Sequence, residues 1–223
     1  EMSASLVGSE MCIRDRSNVS RGTFKTFGTS ECYKMQAECS GQHTKTENKS
    51  YFNIDMEYIK SKVRDVVDFP QKGVVFKDLT TVFKDPRALH IIGWDLSQTY
   101  RDKGVTKVVG IESRGFIGGS ILAFELGAGF VPVRKPGKLP ADTIQATYEK
   151  EYGTDTIEIH RDAITEDDVV VLHDDVLATG GTMAAAYNLV KSMNPKKIYV
   201  NFIIELTALN GRANLPALSL IHI

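Results

Sequence analysis

The stretch Val169–Thr182 reads Val-Val-Val-Leu-His-Asp-Asp-Val-Leu-Ala-Thr-Gly-Gly-Thr. Its unbroken apolar and β-branched start predicts a strand that is buried on both faces, which is typical of a parallel sheet. Two carboxylates, Asp174 and Asp175, are expected where that strand ends. A turn of small residues follows, and then a helical pattern with Met183 and Tyr187 on one face. This order predicts an α/β fold with a central, mostly parallel sheet flanked by helices.

The turn after the predicted strand has the composition of an anion site. In open parallel sheets, ligands bind at the carboxyl ends of the strands. Small residues let backbone N–H groups close around an anion, and a helix N-terminus adds its positive dipole end. Asp174 and Asp175 would repel a phosphate, so they are placed to accept hydrogen bonds from neutral hydroxyls, as on a ribose. The stretch therefore predicts a ligand with a phosphate and a diol, and the alternative is a Gly-rich turn without a ligand.

The same stretch resembles the phosphoribosyl-diphosphate signature of the type I phosphoribosyltransferases, in the version carried by the adenine-specific branch of that family. The resemblance implies the type I phosphoribosyltransferase fold, with a small N-terminal hood over the base. It also implies that eight residues of the signature bind substrate: Asp174, Asp175, Leu177, Ala178, Thr179, Gly180, Gly181 and Thr182.

A second family motif, Phe-Pro-x-x-Gly-Val-x-Phe-(Lys/Arg)-Asp, is matched by residues 69–78. Alone, this segment predicts a turn and a short strand, preceded by a helix whose apolar spacing runs from Met56 to Val67. A strand backbone offers both N–H and C=O groups and can pair with a donor–acceptor edge of a base. The resemblance implies that the backbone of Val75 and Lys77 reads adenine in a hood of about residues 56–84.

In the same motif, Phe76 is implied to pack on the adenine ring, and its alternative is an ordinary core aromatic. The predicted strand Val105–Ile111 then delivers Glu112-Ser113-Arg114-Gly115 to the sheet edge that carries the signature. A surface ion pair would explain the charges of this segment by themselves. The resemblance implies instead a diphosphate loop, often with a strained or cis peptide, in which Arg114 contacts the diphosphate.

A basic segment, residues 134–140, carries three cations, Arg134, Lys135 and Lys138. A loop of about twenty residues in a compact domain is usually disordered or functional. A solvated basic loop is the alternative to a functional one. The resemblance identifies residues of about 135–153 as a flexible catalytic loop, and it implies that Arg134, Lys135 and Lys138 neutralise the departing diphosphate.

The end of this loop reads Tyr148-Glu149-Lys150-Glu151-Tyr152-Gly153. The resemblance implies that Glu151 is the catalytic carboxylate near adenine N7 and that Tyr152 binds substrate. The expected catalytic residues are therefore Glu151 and Arg134. His173, directly before the two acids of the signature, is expected to be a buried, hydrogen-bonded histidine rather than a catalytic group.

The composition limits the class of protein. A chain of 223 residues with 42% apolar residues suits one α/β domain and a tail. A formal net charge of −1 gives no electrostatic case for nucleic acid or a membrane surface as a partner. No apolar run approaches the ~20 residues that cross a bilayer, and no secretory signal is visible. Cys12, Cys32 and Cys39 do not form a disulfide framework, so a cytoplasmic protein is expected.

Residues 1–55 are polar and show neither a helical nor a strand period. They are expected to be a disordered or artefactual extension, and the alternative is a regulatory or targeting segment. Residues 56–223 form the predicted phosphoribosyltransferase domain.

The resemblance implies a complete reaction, in which adenine and phosphoribosyl diphosphate form AMP and diphosphate. It implies Mg²⁺ as the cofactor, held mainly by the substrate diphosphate and water rather than by protein ligands, and a homodimer. One alternative is another purine or pyrimidine phosphoribosyltransferase, such as a xanthine enzyme. The other is a non-catalytic regulator that binds phosphoribosyl diphosphate.

Overall fold

The structure, a computed structural model, describes residues 56–149, 153–215 and 220–222. The extension predicted over residues 1–55 and the predicted site residues Glu151 and Tyr152 lie outside the described residues. Residues 56–62 are helical. The elements that follow are β1 (Arg64–Val67), β2 (Val75–Asp78), α1 (Thr80–Phe83), α2 (Pro86–Tyr100), β3 (Lys107–Ile111), α3 (Gly115–Leu126), β4 (Gly129–Val133), β5 (Thr143–Glu149), β6 (Thr154–His160), β7 (Val169–Leu177), α4 (Gly181–Lys191), β8 (Lys197–Glu205), two 3₁₀ turns (Thr207–Leu209 and Gly211–Asn214) and β9 (Leu220–His222).

Five parallel strands form the central sheet, in the order β4-β3-β7-β8-β9. The predicted α/β fold with a central parallel sheet is thus confirmed. The crossovers β3–α3–β4 and β7–α4–β8 lead to opposite edges of the sheet. Ligands of open α/β sheets bind in the crevice where two such crossovers diverge, so the carboxyl ends of β3 and β7 border the expected site.

Alternation along the strands divides the core into two layers, one on each face of the sheet. Val109 and Leu172 belong to the layer that includes α4 and the β5–β6 pair. Val108 and Val171 belong to the layer that includes α2 and α3. Both layers need apolar side chains, which is why consecutive positions of β3 and β7 are apolar. Among the described helices, none is long and apolar enough to span a bilayer.

Strand β7 extends further than the sequence predicts. It continues to Leu177, so Asp174 and Asp175 lie within the strand rather than after its end. Asp174 pairs with Phe202 of β8, and the pairing resumes after Asp175. This pairing keeps the backbone extended past the two acids. Alternation then directs the two carboxylates to opposite faces of the strand.

The hood consists of a short helix and a β-hairpin. The apolar spacing predicts one helix through Val67, but Val66 and Val67 lie in β1, which pairs antiparallel with β2. Val66 is opposite Phe76 in this register. Cross-strand pairing of β-branched and aromatic side chains stabilises the hairpin, and it overrides the helical spacing.

The segment predicted as a catalytic loop contains regular structure. Strand β5 pairs antiparallel with β6, from Thr143 opposite His160 to Glu149 opposite Thr154. We call these two strands the arm. Ile157 and Ile159 of β6 are buried in the same core layer as α4. This anchoring places the arm beside the carboxyl ends of the sheet strands.

A buried histidine sets the distance between α3 and the sheet. His173 is fully buried, and its Nδ1 lies 2.7 Å from Oδ1 of Asn201. Its Nε2 has no hydrogen-bond partner among the described residues. Burial lowers the pKa of His173 to about 4, so the ring is neutral at pH 7. The expectation of a buried histidine is confirmed, but the ring is hydrogen-bonded at only one nitrogen.

Glycines of α3 make room for this ring. A Cβ at Gly118 would lie 2.3 Å from Nε2 of His173, and a Cβ at Gly115 would lie 2.8 Å from the His173 backbone oxygen. Helix α3 can therefore approach β7 closely only with glycine at these positions. Arg114, the residue directly before α3, thereby lies at the carboxyl end of the sheet.

We expect Gly118→Ala to destabilise the protein by about 1–3 kcal/mol, because the imidazole is held by Asn201 and cannot move aside. In a His173→Val background the same substitution should have little effect. Urea unfolding midpoints of the four proteins in this double-mutant cycle measure the coupling. If Gly118→Ala lowered the stability equally in the wild type and in His173→Val, the contact between Gly118 and His173 would be contradicted.

Candidate active site

The small-residue turn forms a concave backbone surface at the N-terminus of α4. Gly180 adopts a left-handed conformation with φ of 83°, and its C=O accepts the helical bond from Ala184 N–H at 2.9 Å. The first N–H groups of α4 have no partners within the helix. They border a cavity of about 70 Å³ whose lining includes all the predicted signature residues except Asp175. We call this the turn cavity.

The second 3₁₀ turn supports the small-residue turn from outside. A Cβ at Gly180 would lie 2.4 Å from the Gly211 oxygen, and a Cβ at Gly211 would lie 2.2 Å from the Ala178 oxygen. Asn214 Nδ2 donates to the Thr179 oxygen at 2.8 Å. Sequence analysis missed Gly211 and Asn214, because they lie about thirty residues after the turn. Gly211, between Asn210 and Arg212, was a weak sequence signal for a turn or a close backbone approach.

A second cavity of about 190 Å³ opens beside the first, and we call it the cationic cavity. Both cavities are lined by Asp174 and Thr182. The cationic cavity brings together the ends of β3, β4 and β7 with the arm. Its lining residues are Ile111, Glu112, Arg134, Lys135, Tyr148, Asp155, Ile157, Asp174 and Thr182. Of the expected catalytic residues, Arg134 is here, whereas Glu151 lies outside the described residues.

Each of the three predicted loop cations is paired with a carboxylate. Arg134 lies 3.3 and 3.4 Å from the two carboxylate oxygens of Glu112, and Lys138 also binds Glu112. Lys135 binds Asp155. Burial alone would raise the pKa of Glu112, but the Lys138 ammonium, the Lys135 N–H and Arg134 together lower it to about 2. Glu112 is therefore ionised and holds two cations at the cavity wall.

The backbone of the basic segment is held by Glu158, a residue that sequence analysis did not single out. Its buried carboxylate accepts hydrogen bonds from the N–H groups of Lys138 and Leu139, both at 3.1 Å. Its own N–H and C=O pair with the backbone of Arg134. The three cations thus extend from an ordered backbone.

The two acids of β7 differ in their surroundings. Asp174 is half-buried at the junction of the two cavities, and its Oδ1 accepts the N–H of Asp175 at 2.9 Å. The Asp175 side chain is 3% exposed, and its Oδ2 lies 2.8 Å from Nε of Arg114. Burial raises the pKa of Asp174 well above its usual value, and the neighbouring Asp175 carboxylate raises it further. Burial also raises the pKa of Asp175, against the effect of Arg114.

Arg114 connects this acid pair to the hood. Its guanidinium lies 5.0 Å from the centre of the Phe76 ring, which also packs edge-to-face with Phe69 at 5.2 Å. The preceding Glu112–Ser113 peptide is cis, as the resemblance implied. Arg114 is outside the lining of both cavities in this structure.

The remaining predicted hood residues belong to β2. Val75 is 47% exposed, and Lys77 binds Asp65 of β1 at 2.7 Å. Because Val75 and Lys77 are two residues apart on one strand, their backbone groups point to the same side. The predicted pairing of these two residues with one edge of a base is compatible with this arrangement.

Comparisons with known proteins identify the family of this chain. A family model, the phosphoribosyl transferase domain, matches residues 79–209. An adenine phosphoribosyltransferase of Bacteroides fragilis is 62% identical over 159 residues, which cover 71% of this chain and 89% of that protein. The crystal structure of an adenine phosphoribosyltransferase from Rhodothermus marinus matches with a TM-score of 0.73 and 48% identity, and covers 76% of this chain and 97% of that one. The APRTase from Giardia lamblia complexed with 9-deazaadenine matches with a TM-score of 0.71 and 43% identity, over 74% and 93% of the two chains.

The chain therefore belongs to the phosphoribosyltransferases, a class of pentosyl-transferring enzymes. Its particular family is that of the adenine phosphoribosyltransferases, as the sequence motifs predict.

The raised pKa of Asp174 predicts how replacing its carboxyl group changes the stability of the folded protein. The folded protein keeps a proton on Asp174 at pH values where the unfolded chain has lost it, so this group destabilises the fold as pH rises through its folded pKa. We expect Asp174→Asn, which keeps the oxygen bonded to Asp175 N–H, to raise the Tm at pH 7 by about 2–4 °C. The gain should shrink as the pH falls and the folded wild-type carboxyl takes up its proton, and it should vanish below about pH 4, where the carboxyl of the unfolded chain is protonated as well. Exposed Asp102 provides a control, since Asp102→Asn should leave the Tm unchanged, and a lower Tm of Asp174→Asn at pH 7 would contradict the argument.

Proposed function

We propose that the turn cavity and the cationic cavity together bind phosphoribosyl diphosphate, and that the chain forms AMP and diphosphate from it and adenine. The observation that carries this proposal is that the two cavities share Asp174 and Thr182. One cavity offers backbone N–H donors to a phosphate, and the other is bordered by cations that suit a diphosphate. A ribose between them would lie against Asp174. The complex of the Giardia lamblia relative with 9-deazaadenine supports a purine as the acceptor.

The chemistry follows from the movement of charge. When the C1–O bond of the ribose breaks, positive charge develops on the sugar and negative charge on the diphosphate. Arg134, Lys135 and Lys138 are placed to stabilise the leaving group where its charge grows. Their carboxylate partners, Glu112 and Asp155, must release them to the diphosphate oxygens. The site thus exchanges internal ion pairs for ion pairs with the substrate.

The turn and the acids position the sugar. N–H groups and hydroxyls between Ala178 and Thr182 would hold the 5′-phosphate, and Asp174 would accept a ribose hydroxyl. Fixing the phosphate and a hydroxyl leaves C1 in one orientation relative to the base. Asp175 would act through Arg114, whose guanidinium also contacts the hood.

The hood and the end of the loop would hold the base. The Val75 and Lys77 backbone would pair with the adenine edge, and Phe76 would pack on its ring. As N9 of adenine bonds to C1 in place of the diphosphate oxygen, the base must lose one proton, which Glu151 would accept at N7; Tyr152 would contact the substrate. Both roles stay predictions, because these two residues lie outside the described part of the chain.

Magnesium fits this site as a partner of the substrate. Among the described residues, no cluster of three or more His, Cys, Asp or Glu side chains forms a metal site. Diphosphate oxygens and water would supply most Mg²⁺ ligands, which is the coordination that Mg²⁺ prefers at phosphates. The bound ion would neutralise part of the diphosphate charge.

We also propose a cytoplasmic homodimer. Helix α3 exposes Ile117 and Phe124 two turns apart on one face, with 39% and 84% of their surfaces accessible. A pair of exposed apolar side chains is a candidate contact for a second copy. Gel filtration with light scattering of the protein and of a Phe124→Lys variant would test this assignment.

The base specificity is tested by measuring AMP formation from phosphoribosyl diphosphate and Mg²⁺, with adenine, hypoxanthine, guanine and xanthine in parallel. We expect a nucleotide product with adenine alone. A product with xanthine would support the other branch of the family. Binding of phosphoribosyl diphosphate without any product would support the non-catalytic regulator.

We expect Arg134→Ala to lower kcat/KM by roughly 10²-fold or more, as for other groups that stabilise charge in a transition state. The exposed Arg101 at the end of α2 provides a matched control, since its side chain contacts Trp94 and is not part of the site. Steady-state rates with adenine, together with the Tm of each variant, separate catalysis from folding. A folded Arg134→Ala enzyme with the wild-type rate would remove this residue from the mechanism.

A further inference from the structure

One hydrogen bond joins the arm to the small-residue turn. Thr182 Oγ1 donates to Tyr148 Oη at 3.1 Å. Tyr148 is a half-buried residue of β5 that packs against the core layer containing α4. Its Oη also lies 3.4 Å from Oδ2 of Asp155, the carboxylate that binds Lys135. Tyr148 therefore links a residue of the phosphate turn to the partner of a loop cation.

The donor in this bond has a single proton. The hydroxyl of Thr182 donates one hydrogen bond at a time, and phosphate oxygens only accept. Thr182 lines the turn cavity as well as the cationic cavity. A 5′-phosphate that accepts a hydrogen bond from Thr182 must therefore replace Tyr148 as the acceptor.

We propose that Tyr148 is a positioning residue. Its hydroxyl competes with the 5′-phosphate of the sugar for the one hydrogen bond that the Thr182 hydroxyl donates. The inference rests on the proposed function, because it treats the turn as the 5′-phosphate site. The bond ties the arm to the small-residue turn. Phosphate binding would break this tie, while the arm would keep its other contacts, among them those to Lys135, to the Arg134 backbone and to the core layer.

The competition has a measurable consequence for affinity. In the free protein, part of the binding free energy of the phosphate is spent on breaking the Thr182–Tyr148 bond. Tyr148→Phe removes the competing acceptor and keeps the aromatic ring that packs in the core. A net hydrogen bond of ordinary strength predicts that the Kd for a sugar phosphate falls by about 2- to 10-fold.

The experiment is calorimetric titration of the full chain with ribose 5-phosphate, which carries the 5′-phosphate but neither diphosphate nor base. Thr147→Val provides the matched control, because Thr147 is the neighbouring residue of β5 and its hydroxyl bonds Thr156 at 2.9 Å, away from the turn. We expect tighter binding in Tyr148→Phe and wild-type binding in Thr147→Val. A Tyr148→Phe protein with unchanged or weaker affinity would overturn the proposal.

A second pair of variants distinguishes competition from a general effect on packing. A Thr182→Val protein lacks the hydroxyl that donates this hydrogen bond. Adding Tyr148→Phe to it should therefore leave the Kd for ribose 5-phosphate unchanged. If Tyr148→Phe increased the affinity for ribose 5-phosphate by the same factor in the Thr182→Val background, the competition would be refuted.

The AMP assay separates this inference from the proposed function. If the wild type forms AMP while Tyr148→Phe gains no affinity for ribose 5-phosphate, the inference fails and the function stands. If the wild type forms no AMP but Tyr148→Phe binds ribose 5-phosphate more tightly, the competition stands and the reaction is wrong. If no variant binds ribose 5-phosphate, the phosphate turn and the competition fail together.

Discussion

The parallel pairing of β3 with β7 is the constraint on which the rest of the site depends. Lys107 to Gly110 lie beside Val170 to His173, and the crossovers that follow these strands lead to opposite edges of the sheet. The divergence leaves the carboxyl ends of both strands open to a ligand. The cationic cavity and the turn cavity both border this opening. A change in the register of the two strands would move residues 112–115 away from the two acids.

Close backbone approaches hold the walls of that opening in place. Gly118 lets α3 lie against His173, and Gly180 and Gly211 let the last 3₁₀ turn contact the small-residue turn. A Cβ at Gly118 would meet the imidazole that Asn201 holds, and a Cβ at Gly180 or Gly211 would meet a backbone oxygen. The rigidity suits a site that must present N–H groups in a fixed array, because preorganised donors need no rearrangement during the reaction.

The charges of the site are balanced without a ligand. Glu112 binds Arg134 and Lys138, Asp155 binds Lys135, and Asp175 faces Arg114. These pairs keep clustered cations at the cavity wall at neutral pH, where their mutual repulsion would otherwise separate them. Under the proposed function, diphosphate binding would therefore be an exchange of partners. The raised pKa of Asp174 marks the one acid at the junction whose charge is poorly compensated.

The sequence by itself determined the local pieces: the buried strand, the small-residue turn, the helix after it, the hood motif and the three loop cations. Each is specified by neighbouring residues, because period, turn chemistry and charge act over a few positions. Only the tertiary structure decided that β7 continues past the acids, that the arm is paired, and that Gly211 and Tyr148 contact the phosphate turn. The last two contacts join residues about thirty positions apart, and their geometry depends on how α4 and the arm pack on the sheet. Spacing along the chain does not encode that packing.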